Sequence, residues 1–223
     1  MIVGFVGLIG SGKNTAADYL VDVHHFRQES FASTLKDAIS VIFGWDRELL
    51  EGKTKESRKW RDQIDTWWAL RLGIPQLTPR WVMQNIGTDV MRNHFHDDIW
   101  IASLENKLRK TADNIVITDV RFPNEIKAIK NAGGMVVRIK RGPDPDWMFH
   151  AKNYNAGPSC IGWAIGKARL AELGIHESEY RWAGCEIDHE IYNDTTVEDL
   201  HQQIHAFLPK ELPIEVKLAL DLI

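Results

Sequence analysis

Short apolar runs alternate with amphipathic stretches over the first 140 residues of the chain. The runs Ile2–Val6, 115–118 and 135–139 are rich in β-branched residues, which is typical of strands buried on both faces. The stretches 31–43 and 123–132 carry apolar residues at helical spacing. This strand–helix alternation predicts an α/β fold, in which helices cover both faces of a parallel sheet.

The remaining predicted elements follow from the same patterns and from cap residues. Ser33 is the candidate N-cap of the helix at 31–43, and Gly44 ends that helix. The polar, basic stretch 51–61 is predicted to be a loop that turns into a helix. Further helices are predicted at 15–25, 62–72, 78–94, 97–109, 165–173 and 197–207, and a last strand at 190–192.

The alternation breaks between Gly142 and Asp188, where loop-like segments surround the single helix predicted at 165–173. We interpret 142–188 as a lid-like insertion over a site; the alternative is a surface insertion without a catalytic part. The chain has 223 residues, enough for one large α/β domain or two small ones. We predict a single domain at 1–209 and a tail at 210–223 that serves as a packing or dimer element.

The segment 7–15 reads GLIGSGKNT and directly follows the first predicted strand. A strand, a glycine-rich turn with a lysine and a helix start in this order predict a phosphate-binding loop, with Lys13 on the β- and γ-phosphates. The alternative is a tight strand–helix turn without a ligand. Asn14 stands where the pattern G-x-x-x-x-G-K-[ST] has the hydroxyl that holds Mg²⁺, and Thr15 comes one residue late. Thr15 is therefore the candidate metal ligand of the loop.

Three charged residues follow the apolar strand at 115–118, where ligands of open α/β sheets bind. Asp119 is placed like an acid that holds Mg²⁺ or its water; the alternative is a helix cap or turn aspartate. Arg121 is suited to clamp a phosphate, although it could instead pair with a surface acid. Glu125 is four residues further on and is a candidate to orient Arg121. Arg141 follows the next strand and adds to the predicted anion site.

Composition narrows the class of protein. The net charge of −4 argues weakly against a dedicated DNA-binding domain, so we expect no stable nucleic-acid binding. Two cysteines make no disulfide framework, which favours a reducing cytoplasm. We find no signal peptide and no apolar run of about 18 residues, so we expect no membrane association. Several of the tryptophans fall in one stretch at 60–81, where helix packing is favoured over nucleobase stacking.

Five motifs together resemble the deoxynucleoside monophosphate kinases of tailed bacteriophages. In chain order they read GSGKNTAADYL, TLKDAI, MQNIGTDVMR, ITDVRFPNEIKAIKNAGGMVVRIKR and HESE. The resemblance covers most of 1–207 and is weakest at 47–77 and 142–175. It implies a P-loop kinase of three layers that transfers the γ-phosphoryl group of ATP to a deoxynucleoside monophosphate with Mg²⁺. It also implies a homodimer in the cytoplasm, that of the host if the chain is phage-encoded.

The resemblance, with the residue patterns above, assigns roles by position. Catalytic roles fall on Lys13, Arg121 and Arg58. ATP contacts fall on Gly10, Ser11, Gly12, Lys13, Asn14, Thr15 and Arg141. Contacts to the acceptor nucleotide fall on Thr34, Lys36, Asp37, Arg58, Arg61, Gln84, Asp89, Arg121 and Glu125. Thr15 and Asp119 are the metal candidates. Either Arg58 or Arg61 is the acceptor-phosphate arginine, and Asn14 replaces an aspartate of many relatives. The alternative for the Gly-Thr-Asp at 87–89 is a helix irregularity.

Two other functions remain open from the sequence. One is another small-molecule P-loop kinase, such as a dephospho-coenzyme A kinase, which shares the loop and the D-x-R segment. The other is a nucleotide-binding regulatory or DNA-packaging module that hydrolyses ATP slowly. No [NT]-K-x-D motif follows the loop, which weighs against a GTPase.

Overall fold

The computed structural model describes residues 1–208 and has a five-stranded, entirely parallel sheet. The strands are β1 Ile2–Val6, β2 Arg27–Glu29, β3 Ile115–Ile117, β4 Met135–Lys140 and β5 His189–Tyr192. They lie in the order β2-β3-β1-β4-β5, so the first strand is central. The carboxyl ends of parallel strands meet at one edge, which brings the segments that follow β1, β3 and β4 together.

Helices account for most of the rest of the described chain. They are α1 Lys13–His24, α2 Ser33–Phe43, α3 Arg47–Glu51, α4 Lys55–Arg61, α5 Thr66–Leu72, α6 Pro79–Gln84, a π-helix Asn85–Phe95, α7 Ile99–Leu108, α8 Pro123–Asn131, α9 Trp147–Asn155, α10 Trp163–Glu172, a 3₁₀ turn Glu177–Glu179 and α11 Val197–Phe207. None of the helices within residues 1–208 has the length and apolar character needed to cross a bilayer.

The sheet is buried on both faces, as the continuous apolar runs require. Val3 and Phe5 of β1 point into a cluster with the apolar residues of α1 and α11. Ile115 and Ile117 of β3 point to the opposite face, into a cluster that includes buried residues of α2, α7 and α8. Period-two alternation along each strand therefore divides the core into two halves. The predicted three-layer α/β fold is confirmed.

Three local predictions need correction, and one strand was not predicted. Ser33 is the first residue of α2, and Ala32 occupies the cap position without a side-chain bond. The helix predicted at 62–72 begins only after Asp65, whose carboxylate caps α5 by accepting the N–H of Trp68. The single helix predicted at 78–94 is divided into α6 and the π-helix. Strand β2 escaped prediction because its sequence is RQE, with two of three side chains exposed at the sheet edge.

The segment 142–188 contains two helices, α9 and α10, of which only the second was predicted. Met148, Ala151, Leu170 and Trp182 are buried in the same apolar cluster as β3. The segment is thus packed against the main body in this conformation, and its closure over a site stays a prediction. The predicted tail at 210–223 lies outside the described residues.

The contact between α9 and α10 depends on Gly166. A Cβ at this position would lie 2.5 Å from the carbonyl oxygen of His150. Because backbone atoms cannot yield as a flexible side chain does, Gly166→Val is expected to lower the free energy of unfolding by about 1–3 kcal/mol. Chemical denaturation measures the change. The exposed Ala168 on the same helix provides the control, since Ala168→Val meets no such contact; equal stability of both variants would contradict this packing.

Candidate functional site

The loop between β1 and α1 has the backbone of an anion cradle. Gly7, Gly10 and Gly12 adopt φ values of 145°, 81° and 102°, a region that favours glycine. Lys13 is the first residue of α1, so the helix N-terminus opens into the loop. Asn14 and Thr15 are exposed in the first helical turn. Gly10 is exposed in the loop itself.

The ammonium group of Lys13 is turned back onto the loop. Nζ donates to the carbonyl oxygens of Gly7 at 2.9 Å and Leu8 at 2.8 Å. Burial, and after it the positive charge of Arg121, lower the pKa of Lys13 to about 8. A cation held beside another cation in a partly dehydrated site favours the binding of an anion.

Asn193 supports the loop from the neighbouring strand end. Its Nδ2 donates to the carbonyl oxygen of Ser11 at 2.9 Å, and a Cβ on Gly12 would come within 2.2 Å of that nitrogen. Asn193 directly follows β5 at the sheet edge where ligands bind. Sequence reasoning missed it, although its position after a strand was the available signal. The Oγ of Ser11 is buried and has no hydrogen-bond partner among the described residues.

Asp119 follows the end of β3 by two residues and binds the segment that leads into α2. Its carboxylate accepts the Ser30 hydroxyl at 2.6 Å and the N–H groups of Ala32 at 2.9 Å and Phe31 at 3.0 Å. These contacts are those of a turn aspartate, the alternative raised from the sequence. The metal role of Asp119 stays a prediction. Residues 1–208 contain no cluster of three His, Cys, Asp or Glu side chains that could hold a metal ion by themselves.

Arg121 lies at the same rim and is partly open to solvent. Its Nη1 donates to the carbonyl oxygen of Ser178 at 3.1 Å and to the carboxylate of Glu179. The guanidinium side chain is 39% exposed. The HESE segment at 176–179 therefore reaches Arg121, a contact that the sequence did not indicate.

Glu125 supports the rim from inside and does not line the site. Its carboxylate accepts the backbone N–H of Arg121 at 2.7 Å and that of Phe122 at 3.1 Å, and it pairs with Arg92. Glu125 is 2% exposed, and burial raises its pKa to about 7 even though Arg92 opposes this shift. Glu125 therefore orients the backbone of Arg121, which agrees in part with the orienting role predicted from its spacing. The predicted contact with substrate does not fit a side chain buried in this way.

The two candidate arginines of α4 differ in their surroundings. Arg58 is exposed and turns back on the start of its own helix, donating to the carbonyl oxygen of Thr54 at 3.1 Å. The guanidinium of Arg61 lies over Gly52, and its Nε is buried without a hydrogen-bond partner in the described chain. Burial, and after it the positive charges of Arg80 and Arg121, lower the pKa of Arg61 to about 10. The structure thus groups Arg61, and not Arg58, with Arg121.

The predicted acceptor residues of α2 are engaged with neighbouring helices. Thr34 shares a hydrogen bond of 2.8 Å with the hydroxyl of Ser103 in α7. Lys36 pairs with Glu51 at 2.7 Å, and Asp37 pairs with Arg47 at 2.6 Å. These contacts fasten α2 to α3 and α7. Substrate contacts by the three residues stay predictions.

The Q-x-x-G-T-D motif spans the junction of α6 and the π-helix. Gln84 ends α6, and Asp89 lies in the π-helix with its Oδ1 3.8 Å from Nε2 of His176. The carbonyl oxygen of Gly87 accepts the indole N–H of Trp100 at 2.8 Å. The segment is irregular, as the alternative interpretation held, and π-helices occur frequently at functional sites. Arg141 is exposed directly after β4, and among residues 1–208 no hydrogen bond or ion pair connects it to the loop.

Comparison with known sequences finds a family model and relatives that are all named for one kind of kinase. A family model described as deoxynucleotide monophosphate kinase matches residues 54–146. A protein of Acanthamoeba polyphaga mimivirus that is named as a deoxynucleotide monophosphate kinase is 34% identical over 155 residues. The match covers 63% of this chain and 74% of the mimivirus protein. The deoxynucleoside-5'-monophosphate kinase of Escherichia phage T5 is 30% identical over 264 aligned positions, covering 95% of this chain and 97% of its own. The crystal structure of shikimate kinase from Aquifex aeolicus is 12% identical, with a TM-score of 0.43, over 92% of this chain and 94% of that one.

Proposed function

The chain belongs to the deoxynucleoside monophosphate kinase family, and on this premise we propose that it transfers the γ-phosphoryl group of ATP to a deoxynucleoside monophosphate, giving ADP and a deoxynucleoside diphosphate. One observation carries the proposal. Lys13 begins α1 after β1, and Arg121 follows the neighbouring parallel strand β3 at the same sheet edge; Arg121 also lowers the pKa of both Lys13 and Arg61. Converging cations at a phosphate loop are what in-line transfer between two phosphate-bearing substrates requires.

Each cation has a separate task in the proposed mechanism. The amides of the loop and Lys13 hold the donor phosphates, and the carbonyl contacts of Lys13 give way to phosphate oxygens. Arg121, at the exposed rim, contacts the transferring group and the acceptor phosphate. Arg61, whose charge interacts with that of Arg121, adds positive charge that compensates for the dianionic acceptor. Positioning and charge stabilisation of this kind supply most of the catalysis in phosphoryl transfer.

We also propose that the reaction uses Mg²⁺, with Thr15 and Asp119 as the protein groups near it. Both fit such an ion: the hydroxyl of Thr15 is on the exposed first turn of α1, and Oδ1 of Asp119 accepts one hydrogen bond, which leaves it acceptor capacity. Mg²⁺ typically binds one or two protein groups together with water and substrate phosphates. When bound, it would offset charge on the phosphate oxygens.

Three further expectations belong to this proposal. The insertion 142–188 excludes water, which would otherwise compete with the acceptor for the phosphoryl group. The partners are nucleotides, without stable nucleic-acid or membrane binding, and the chain forms a homodimer in the cytoplasm. Light scattering coupled to size exclusion tests the dimer, and a monomer at assay concentration would contradict it.

An acceptor panel tests the proposed reaction. ADP release is followed with each deoxynucleoside monophosphate, each ribonucleoside monophosphate, dephospho-coenzyme A, and DNA without any acceptor. We expect turnover with at least one deoxynucleoside monophosphate and little phosphate release without an acceptor. Turnover with dephospho-coenzyme A alone would assign the chain to another small-molecule kinase. DNA-stimulated phosphate release alone would indicate an ATPase module.

ATP binding is expected to weaken above pH 8. The pKa of Lys13 is lowered to about 8 in the free protein, so the side chain is cationic below that pH and loses its charge as the pH rises through it. Calorimetry between pH 6.5 and 9.5 should show an affinity that is constant below about pH 8 and then falls, by up to tenfold per pH unit. Lys13→Met serves as the control and should remove this inflection. An unchanged inflection in that variant would assign the titration to another group.

A further inference from the structure

Glu179 brings an acid from the insertion to the cationic site. It is the last residue of the 3₁₀ turn, and its carboxylate contacts Nη1 of Arg121. The carbonyl oxygen of the preceding Ser178 accepts from the same nitrogen at 3.1 Å. Glu179 also acts on Lys13, since its negative charge raises the pKa of that lysine against the effect of burial.

Both contacts to the guanidinium of Arg121 use one nitrogen. Within residues 1–208, neither Nε nor Nη2 of Arg121 makes a hydrogen bond. A guanidinium binds phosphate best through two parallel N–H groups on one edge. The contacts with Ser178 and Glu179 therefore leave the edge formed by Nε and Nη2 available for an anion.

The backbone around Glu179 is fixed, which distinguishes its carboxylate from a loose counter-ion. The indole N–H of Trp182, which is buried, donates to the carbonyl oxygen of Glu179 at 3.0 Å. Nδ1 of His176 accepts the N–H of Ser178 at 3.2 Å and caps the turn. Nδ2 of Asn155 in α9 donates to the carbonyl oxygen of Tyr180 at 2.8 Å. The turn is thus held from both sides by the insertion.

We propose that Glu179 is a positioning residue, which fixes Nη1 of Arg121 so that the free edge of the guanidinium addresses a phosphate group. The identity of that phosphate, that of the acceptor nucleotide or the transferring group, rests on the proposed function. In the contrary role, which we call the place-holder, the carboxylate of Glu179 occupies the position of the phosphate. It must then move away from Arg121 before an anion binds. The two roles predict opposite effects when the carboxylate is removed.

The test combines kinetics with a double-mutant cycle. Glu179→Ala is expected to reduce kcat/KM for the deoxynucleoside monophosphate by roughly 10–100-fold, because a misplaced guanidinium loses its transition-state contact. Glu179→Gln keeps a hydrogen-bond acceptor for Nη1 and should recover part of the loss. In an Arg121→Ala background, Glu179→Ala should cost nothing further. Glu186→Ala, at a largely exposed acid of the same insertion, is the control.

Binding of inorganic pyrophosphate gives a readout that does not depend on the reaction. We expect Glu179→Ala to weaken pyrophosphate binding in calorimetry, with the same absence of effect in the Arg121→Ala background. Tighter binding would establish the place-holder and overturn the proposal, as would an equal loss in both backgrounds. Suppose that no deoxynucleoside monophosphate is phosphorylated, but Glu179→Ala weakens pyrophosphate binding only when Arg121 is present. The proposed function then fails and the positioning role stands. If turnover is normal but the effect of Glu179→Ala on pyrophosphate binding does not depend on Arg121, only the positioning role fails.

Discussion

Replacing Lys13 with alanine is expected to reduce phosphoryl transfer on the order of 10³-fold while the protein remains folded. Lys13 is the cation of the phosphate loop, and its loss removes charge stabilisation that the neighbouring Arg121 is not placed to supply. The structural cost is small, because the side chain gives up only its bonds to the carbonyl oxygens of Gly7 and Leu8. The rate of ADP release with a saturating acceptor measures the effect, and circular dichroism checks the fold.

The matched control for this variant is Lys127→Ala. Lys127 is an exposed lysine of α8, remote in sequence from the loop, and we expect its removal to leave the rate within twofold of the parent. Near-normal transfer by Lys13→Ala would contradict the assignment of the loop as the donor site. An unfolded Lys13→Ala protein would instead contradict the view that Lys13 contributes little to stability.

The second large effect concerns the ion pair of Arg92 and Glu125. Each side chain is 3% exposed, and Arg92 also lies over the ring of Phe122 at 3.9 Å. Arg92→Ala leaves the carboxyl group of Glu125 buried without its partner, which should lower the free energy of unfolding by about 3–5 kcal/mol. Urea denaturation measures this loss. The pair connects the π-helix to the rim, so Arg92→Ala should also disturb the backbone that carries Arg121.

Two further variants sharpen this prediction. Arg169→Ala breaks an exposed pair with Glu172 and should change stability by less than about 1 kcal/mol. Replacing both buried partners by Arg92→Met and Glu125→Leu should cost less than the sum of the single changes, because no charge is left unpaired. A loss below about 1 kcal/mol for Arg92→Ala would show that the pair is not a structural connection between helix and rim.

The strands that carry the site could be predicted from sequence because each is an apolar run that is followed closely by residues of recognisable chemistry. The apolar run of β1 and the glycines after it leave little choice of structure. The apolar run of β3 is recognised in the same way, and Asp119 lies two residues beyond its end. Strand β2 could not be found, since an edge strand of polar residues has no apolar pattern. The π-helix was also missed, because its sequence keeps helical periodicity while its hydrogen bonds span five residues.

A site residue could be predicted where its type and its place after a strand were enough to identify it. It could not be predicted where its role depends on contacts between distant segments. Lys13 and Arg121 lie in the segments that follow the neighbouring strands β1 and β3, so topology alone brings them together. Asn193 reaches Ser11, and Glu179 reaches Arg121, only through the folding of the last strand and of the insertion. Arg58 and Arg61 are three residues apart, and their difference in burial depends on how α4 packs over Gly52. Spacing in sequence carries no information on such packing.

The most direct measurement follows the γ-phosphate itself. The protein is mixed with γ-labelled ATP, Mg²⁺ and each deoxynucleoside monophosphate, and the products of a single turnover are separated. The account predicts that the label appears in a deoxynucleoside diphosphate, with ADP formed in equal amount and little free phosphate. Label found only as free phosphate, or no transfer to any deoxynucleoside monophosphate, would contradict it.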